Sequence, residues 1–288
     1  MSEEALAAEG LRFSYDGGAV ALDGLDLVVR AGRRHALVGA NGAGKTTLLL
    51  HLNGTLRPHR GAVRVNGAPG QYSRRGLTAW RQAVGLVFQN PEDQLFAGTV
   101  FQDVSFGPLN LGLSAADAHA RVEAALEALD IAPLAERPTH MLSFGQKKRA
   151  AIAGAVAMRP DVLVIDEPLA GLDPSGAEHL LAVLRRLHED GTTLVIATHD
   201  MSLAYEWADE VSVLRAGRVV ASGAADDVMT DAESLRECGL RVPWVLEVEV
   251  ALRVAGVFRG QRPSLRSRRE LVAAAAAAGV SAEEAPTA

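Results

Sequence analysis

The chain has 288 residues, 48% of them hydrophobic, and a net charge of −6. That suffices for one large domain with an appendage, and the acidic balance argues against a surface built for nucleic acid. The single cysteine, Cys238, excludes an internal disulfide and a cysteine-based metal site, and points to a reducing cytoplasm.

In chain order, the N-terminus (Met1 to Ala5) is acidic and lacks the apolar run of a secretion signal. The longest uncharged small-apolar stretches, 150–158 and 271–280, fall short of the roughly 18 to 20 residues of a membrane span, so a membrane role is expected to come through a partner. Residues 11 to about 90 read as short strands between Gly and Asp turns: 25–29, 35–38, 62–65 followed by the turn pair Asn66-Gly67, and 84–88. The strand at 35–38 feeds Gly39 to Thr46, which fits GxxxxGK[ST] and precedes an apolar helical start at 47–52. In such a loop glycines let backbone N–H groups turn around phosphate oxygens where a Cβ would clash, and the helix adds its positive end. Gly39, Asn41, Gly42, Gly44 and Thr47 belong to this phosphate-binding set; Lys45 supplies a point charge and Thr46 a hydroxyl for Mg²⁺.

A helix-rich segment follows from about 99 to 159, with Ser114 and Asp117 starting a helix that presents Val122, Leu126 and Leu129 on one face. Within it lies Leu142 to Gln146, LSFGQ. Ser143 and Gln146 have capping-box spacing, and a capped helix start beside Gly145 is also an anion site. The apolar run 162–165 is expected to be a strand buried on both faces, ending in Asp166-Glu167. One carboxylate there can hold hydrated Mg²⁺ and the next can orient an attacking water; an acidic turn before Pro168 is the plainer alternative. Asp173 caps a helix from Pro174 to about 190, and 193–198 is a second buried strand followed by His199. His199 can donate to a γ-phosphate or be structural, Gln89 closes its strand as a polar residue, and Tyr15 can stack on adenine or be a core or surface aromatic. Segments 211–214 and 218–221 read as a hairpin around Ala216-Gly217. From 223 the pattern weakens into short helical pieces, then beyond 251 into a basic run (Arg262, Arg266, Arg268, Arg269) and alanine-rich sequence, expected to be mobile or loosely helical. No internal repeat is visible.

Taken in order, Tyr15, Gly39–Thr46, Gln89, LSFGQ, Asp166-Glu167, Asp173 and His199 resemble the ATP-binding cassette (ABC) ATPases over roughly residues 6–225. The resemblance implies an α/β P-loop NTPase cassette at 5–225: a RecA-like core, an antiparallel β-subdomain and a helical signature subdomain near 99–159. A helical extension at 226–250 and a tail at 251–288 would follow. It implies MgATP as ligand, with Tyr15 on adenine, Thr46, Asp166 and Gln89 on Mg²⁺, and Glu167 as base or water-orienting residue. It further implies His199 and Lys45 at the γ-phosphate, Ser143, Gly145 and Gln146 closing on the ATP of a second subunit, and Asp173 coupling the two sites. Phe144 departs from the commoner glycine, whereas Gly145 is kept.

A finer match, at 88–96 (FQNPEDQLF), 104–108 (VSFGP), 145–149 (GQKKR) and 240–244 (LRVPW), is similar to energy-coupling-factor (ECF) importers, particularly the cobalt/nickel branch. It implies a second ATPase subunit, expected as a homodimer, with a transmembrane coupling subunit and a substrate-binding membrane subunit. The chain would be peripheral, on the cytoplasmic face of the membrane. His51, His59, His119, His140, His179 and His188 show no paired ligand spacing, so the transported metal is expected to bind elsewhere. A vitamin-type ECF importer and, less favoured, a soluble non-transport ABC ATPase remain alternatives.

Overall fold

The computed structural model describes residues 4–258 and 265–279. β1 (Glu4–Ser14) and β2 (Val20–Arg30) pair antiparallel, and β3 (Arg34–Val38) delivers the chain through the glycine loop into α1 (Lys45–Leu52). β4 (Arg60–Val65) and β5 (Ala68–Pro69) complete a first, antiparallel sheet in the order β2-β1-β4-β5. α2 (Arg74–Ala83) and β6 (Val84–Val87) lead into α3 (Val100–Asn110), α4 (Ala115–Ala128) and α5 (Phe144–Val156). Then come β7 (Val162–Asp166), α6 (Pro174–Glu189), β8 (Thr193–Thr198), α7 (Met201–Trp207), β9 (Glu210–Arg215) and β10 (Arg218–Ala224). α8 (Ala225–Thr230), α9 (Ala232–Glu237), α10 (Trp244–Val254) and α11 (Arg268–Ala277) close the described chain.

The second sheet runs β10-β9-β3-β8-β7-β6, parallel from β9 to β6 with β10 antiparallel at the edge. β7 and β8 are buried at every position, which explains their unbroken apolar runs, since helices cover both faces of a parallel sheet. Register decides what this sheet can do. Val38 pairs with Thr198 and Asp166 with Ala197, so β3, β8 and β7 end side by side. The glycine loop, His199 and Asp166-Glu167 therefore leave the sheet along one edge, where open α/β sheets bind ligands.

Local chemistry accounts for the helices. Asp173 accepts from Gly176 N–H at 2.6 Å, Pro174 starts α6, and Leu180, Val183, Leu184 and Leu187 form its buried stripe. α4 buries Val122 and Leu126 behind its Ser114 cap, and Leu129 just past its end is buried too. The stretch 11–90, expected as strands and turns beyond the helical start at 47–52, also contains α2. That helix buries only Trp80, so its apolar periodicity is too sparse to read; Ser73 caps it, and Trp80 Nε1 donates to the Leu52 carbonyl at 2.8 Å.

The C-terminal expectation also needs revision. A boundary at 250 falls inside α10, and part of the tail expected to be mobile or loosely helical is α11, started by a Ser267–Glu270 capping box. Leu271 and Ala274 of α11 pack with Val245 and Phe258, and Arg266 of the basic run donates to the Ala208 carbonyl at 2.9 Å and pairs with Asp226 at 3.0 Å. Arg262 lies outside the described residues.

Candidate functional site

The loop between β3 and α1 folds as its glycines require. Gly42 and Gly44 have φ of +81° and +106°, and a Cβ on Gly44 would sit 2.6 Å from the Ala21 carbonyl oxygen. No side chain caps α1, so its first-turn N–H groups face the loop as an anion-binding end. Lys45 is buried and donates to the Gly39 carbonyl at 2.7 Å and to the Ala40 carbonyl at 3.3 Å. Burial pulls its ammonium below the ordinary lysine value, opposed by the carboxylates of Glu167 and Asp166. Asn41 is exposed on the loop. Thr47 holds the Tyr15 hydroxyl at 3.1 Å, and the half-exposed Tyr15 ring meets Phe13 edge-on, which places a flat aromatic surface beside the phosphate loop.

Thr46 Oγ1 donates to Asp166 Oδ2 at 2.6 Å. Burial raises the Asp166 carboxyl and Glu167 adds to the rise, while the Thr46 hydrogen bond and Lys45 oppose it. A hydroxyl and a carboxylate joined in this way suit Mg²⁺, which prefers oxygen ligands and completes its shell with water and phosphate. Gln89 joins the site through its backbone carbonyl; its side chain is exposed and makes no hydrogen bond among the described residues.

Glu167 is the most constrained residue here. Its φ is +44°, in the left-handed region that a non-glycine residue occupies only under constraint. Its carboxylate accepts from Thr198 Oγ1 at 3.1 Å, from the His199 backbone N–H at 3.0 Å and from His199 Nδ1 at 2.7 Å. The His199 side chain is 63% exposed, so the ring reaches outward from this anchor. A fixed carboxylate beside a buried lysine and a phosphate loop can orient a water for attack.

The signature residues gather elsewhere. Ser143, Gly145, Gln146 and Asp173 line a cleft of about 510 Å³, and none of residues 39–47, Asp166, Glu167 or His199 borders it. Ser143 Oγ accepts from the Gln146 N–H at 3.3 Å while Gln146 Oε1 accepts from the Ser143 N–H at 3.0 Å, so the expected capping box is formed at a helix start that lines the cleft. Phe144 lies against Gly171 at φ +77°, where a Cβ would meet its ring at 2.7 Å; this contact occupies the position of the departure from glycine.

Two contributors escaped the sequence reading. Thr198 bridges Glu167 and the Asp200 N–H, the latter at 3.0 Å. Lys148 is fully buried and donates to the carbonyls of Gln89 at 2.6 Å and Glu167 at 3.0 Å. Burial pulls its ammonium down to about 8, opposed by Asp166 and then Glu167. The available signal was register: Lys148 shares a helical stripe with the buried Ile152 and Ala155.

Comparison with known proteins adds the following. Residues 22–170 match the family model described as ABC transporter. The chain is 56% identical over 269 residues to the cobalt import ATP-binding protein CbiO of Rhodobacter capsulatus, covering 93% of this chain and 96% of that one. It is 49% identical to the energy-coupling factor transporter ATP-binding protein EcfA of Carboxydothermus hydrogenoformans, over 85% of this chain and 89% of that one. Among solved structures it resembles cbiO1 of Clostridium perfringens, part of the ABC transporter complex cbiONQ, with a TM-score of 0.73 and 40% identity over 86% of this chain and 99% of that one. It also resembles a dimeric ATP-binding cassette in a post-hydrolysis state bound to ADP and Pi, with a TM-score of 0.70 and 25% identity over 76% of this chain and 98% of that one.

Proposed function

From the premise that this chain belongs to the ABC transporter family and is one of its ATPases, we propose that it is the motor subunit of an ECF-type importer, with cobalt or nickel as cargo. The observation that carries the motor reading is the separation of the phosphate loop and acidic pair from the signature cleft. In this reading one chain holds only half of each site. ATP on the Gly39–Thr47 loop of one subunit is closed by Ser143, Gly145 and Gln146 of a second, and Asp173 meets its counterpart across the junction.

Tyr15 stacks on adenine and Lys45 meets the β- and γ-phosphates. Thr46, Asp166 and Gln89 hold Mg²⁺, which neutralises phosphate charge when bound. Glu167 orients the attacking water. His199 anchors to Glu167 through Nδ1, so it is Nε2 that faces the γ-phosphate, donating to it when the ring carries both protons. Closure by ATP, rather than heat from hydrolysis, moves the membrane partners, because only differential affinity for open and closed states shifts such an equilibrium.

A groove of about 470 Å³ between α2, α3 and α5, lined by Arg74, Leu77, Phe96, Phe106, Leu111 and Met158 among others, is the proposed seat of the transmembrane coupling subunit. Phe96 and Phe106 are exposed there in an edge-to-face pair at 4.8 Å. Among the described residues no helix is long and apolar enough to cross a membrane; it is the likeness to importer ATPases that supports a peripheral place on the cytoplasmic face, held by the membrane subunits. The cobalt reading draws on the CbiO relative; the EcfA relatives favour a second reading, an ECF importer for another cargo such as a vitamin. The test is uptake into vesicles carrying this chain and its membrane subunits. ATP-dependent accumulation of labelled cobalt or nickel supports the proposal. Uptake of a vitamin alone would replace the cargo, and ATP hydrolysis with no uptake of either would refute the transport reading.

A further inference from the structure

Lys148 is a charged side chain with no exposure, an expensive placement unless its hydrogen bonds matter. Both of its acceptors are backbone carbonyls at the ends of neighbouring strands: Gln89, just past β6, and Glu167, just past β7. Glu167 is held at φ +44°, a conformation that persists only where the surroundings over-determine it. Two peptide bonds flank it. Its N–H donates to the Ala197 carbonyl at 2.8 Å, and its own carbonyl accepts from Lys148. The strained residue is therefore pinned by β8 on one side and by α5 on the other.

α5 also grips the segment beyond Gln89. Lys147 pairs with Glu92, and the Gln94 side-chain amide donates to the Ala151 carbonyl at 3.3 Å. The helix whose N-terminus presents Ser143 to Gln146 thus also carries the ammonium that fixes the Gln89 and Glu167 carbonyls.

We propose that Lys148 is a positioning residue for ATP hydrolysis: by donating to the Gln89 and Glu167 carbonyls it holds Glu167 in its left-handed backbone conformation and makes that alignment depend on where α5 lies. The proposal rests on reading Glu167 as the water-orienting residue. A shift of α5 relative to the sheet would lengthen both bonds, so the helix that presents the signature to a second subunit also governs whether Glu167 is aligned. Lys148 donates to backbone carbonyls and not to the phosphate loop or Thr46, so its loss should weigh far more on turnover than on ATP affinity.

The test uses the full chain with MgATP and compares Lys148→Met, which keeps length without donors, with Lys148→Gln, which keeps two N–H donors without charge. Lys148→Met should lower kcat about 10- to 100-fold, as a misplaced catalytic group does, with KM for ATP within about twofold of the parent. Lys148→Gln should recover kcat to within about fivefold of the parent. Added to Glu167→Gln, Lys148→Met should cost little further, because in this proposal Lys148 affects turnover by placing the carboxylate that Glu167→Gln already removes. Parental turnover in Lys148→Met, equal impairment of the Met and Gln variants, or additive loss in the double variant would each overturn the proposal. Should Lys148→Met fail to fold, Lys148→Gln decides: kcat within about fivefold of the parent supports the role and a larger loss overturns it. Normal hydrolysis by Glu167→Gln alone would instead remove the premise about Glu167, an outcome distinct from parental turnover in Lys148→Met.

Discussion

Replacing Glu167 by Gln separates chemistry from architecture at this site. The carboxylate accepts three hydrogen bonds, two from His199 and one from Thr198. Glutamine keeps the shape, and its amide oxygen can keep both His199 bonds. Its NH₂ would then face Thr198, whose hydroxyl already accepts from the Asp200 N–H and has a second lone pair to offer. Exchanging charge-assisted bonds for neutral ones in this way should cost about 1 kcal/mol of stability. Turnover should suffer far more: losing a base costs about 10²- to 10⁴-fold, or about 3 to 5 kcal/mol on the barrier at 1.36 kcal/mol per decade. ATP binding should survive, since Glu167 holds none of the loop N–H groups. The assays are steady-state hydrolysis and size-exclusion chromatography with MgATP, where the variant should persist as an ATP-bound dimer. Hydrolysis within about threefold of the parent, with the fold intact, would refute the assignment of Glu167.

Gly44→Ala forces a Cβ to 2.6 Å from the Ala21 carbonyl at φ +106°, so thermal unfolding should show a loss of about 1 to 3 kcal/mol together with lost ATP binding; an unchanged nucleotide titration would contradict the loop geometry. Phe106→Asp, in an exposed ring of the groove, should abolish co-purification with the membrane coupling subunit while basal hydrolysis persists, and undiminished co-purification would reject the groove as the seat. Burial alone would raise Asp209, but hydrogen bonds from the Arg34 side chain and backbone N–H, with its charge, bring it below the usual carboxylate value. A depressed carboxyl stabilises the fold above its unfolded value and loses that contribution as pH falls through the folded one. The Asp209→Asn variant should therefore be less stable than the parent at neutral pH and converge with it as pH falls through and below the ordinary carboxylate range; parallel melting curves across that range would show that the ion pair contributes nothing.

The candidate site was legible where its chemistry is written in consecutive residues. Gly39 to Thr46 turns as its own glycines allow, and Asp166-Glu167 closes an apolar run buried at every position of its strand. Ser143 and Gln146 form the capping box that their spacing implied. What escaped depends on distant partners. α2 is held by Trp80 packing against Gly54 and Gly70, contacts that its own apolar spacing does not announce. The segment beyond 251 read as mobile or loosely helical because Leu271 and Ala274 have meaning only against Val245 and Phe258.

The sequence by itself determined the family, the order of its motifs and the conformation of its glycine loop and signature cap, because those properties reside in short runs with their own backbone requirements. Tertiary structure alone decided that β3, β8 and β7 end level, so that Thr46 reaches Asp166 and His199 reaches Glu167. It also decided that the signature opens into a different cleft, and that Lys148 is buried against two carbonyls rather than solvated beside Lys147. The physical reason is the same for all three: strand register and helix placement are set by packing between elements far apart in the chain, and a side chain's charge takes its function from the neighbours that packing supplies.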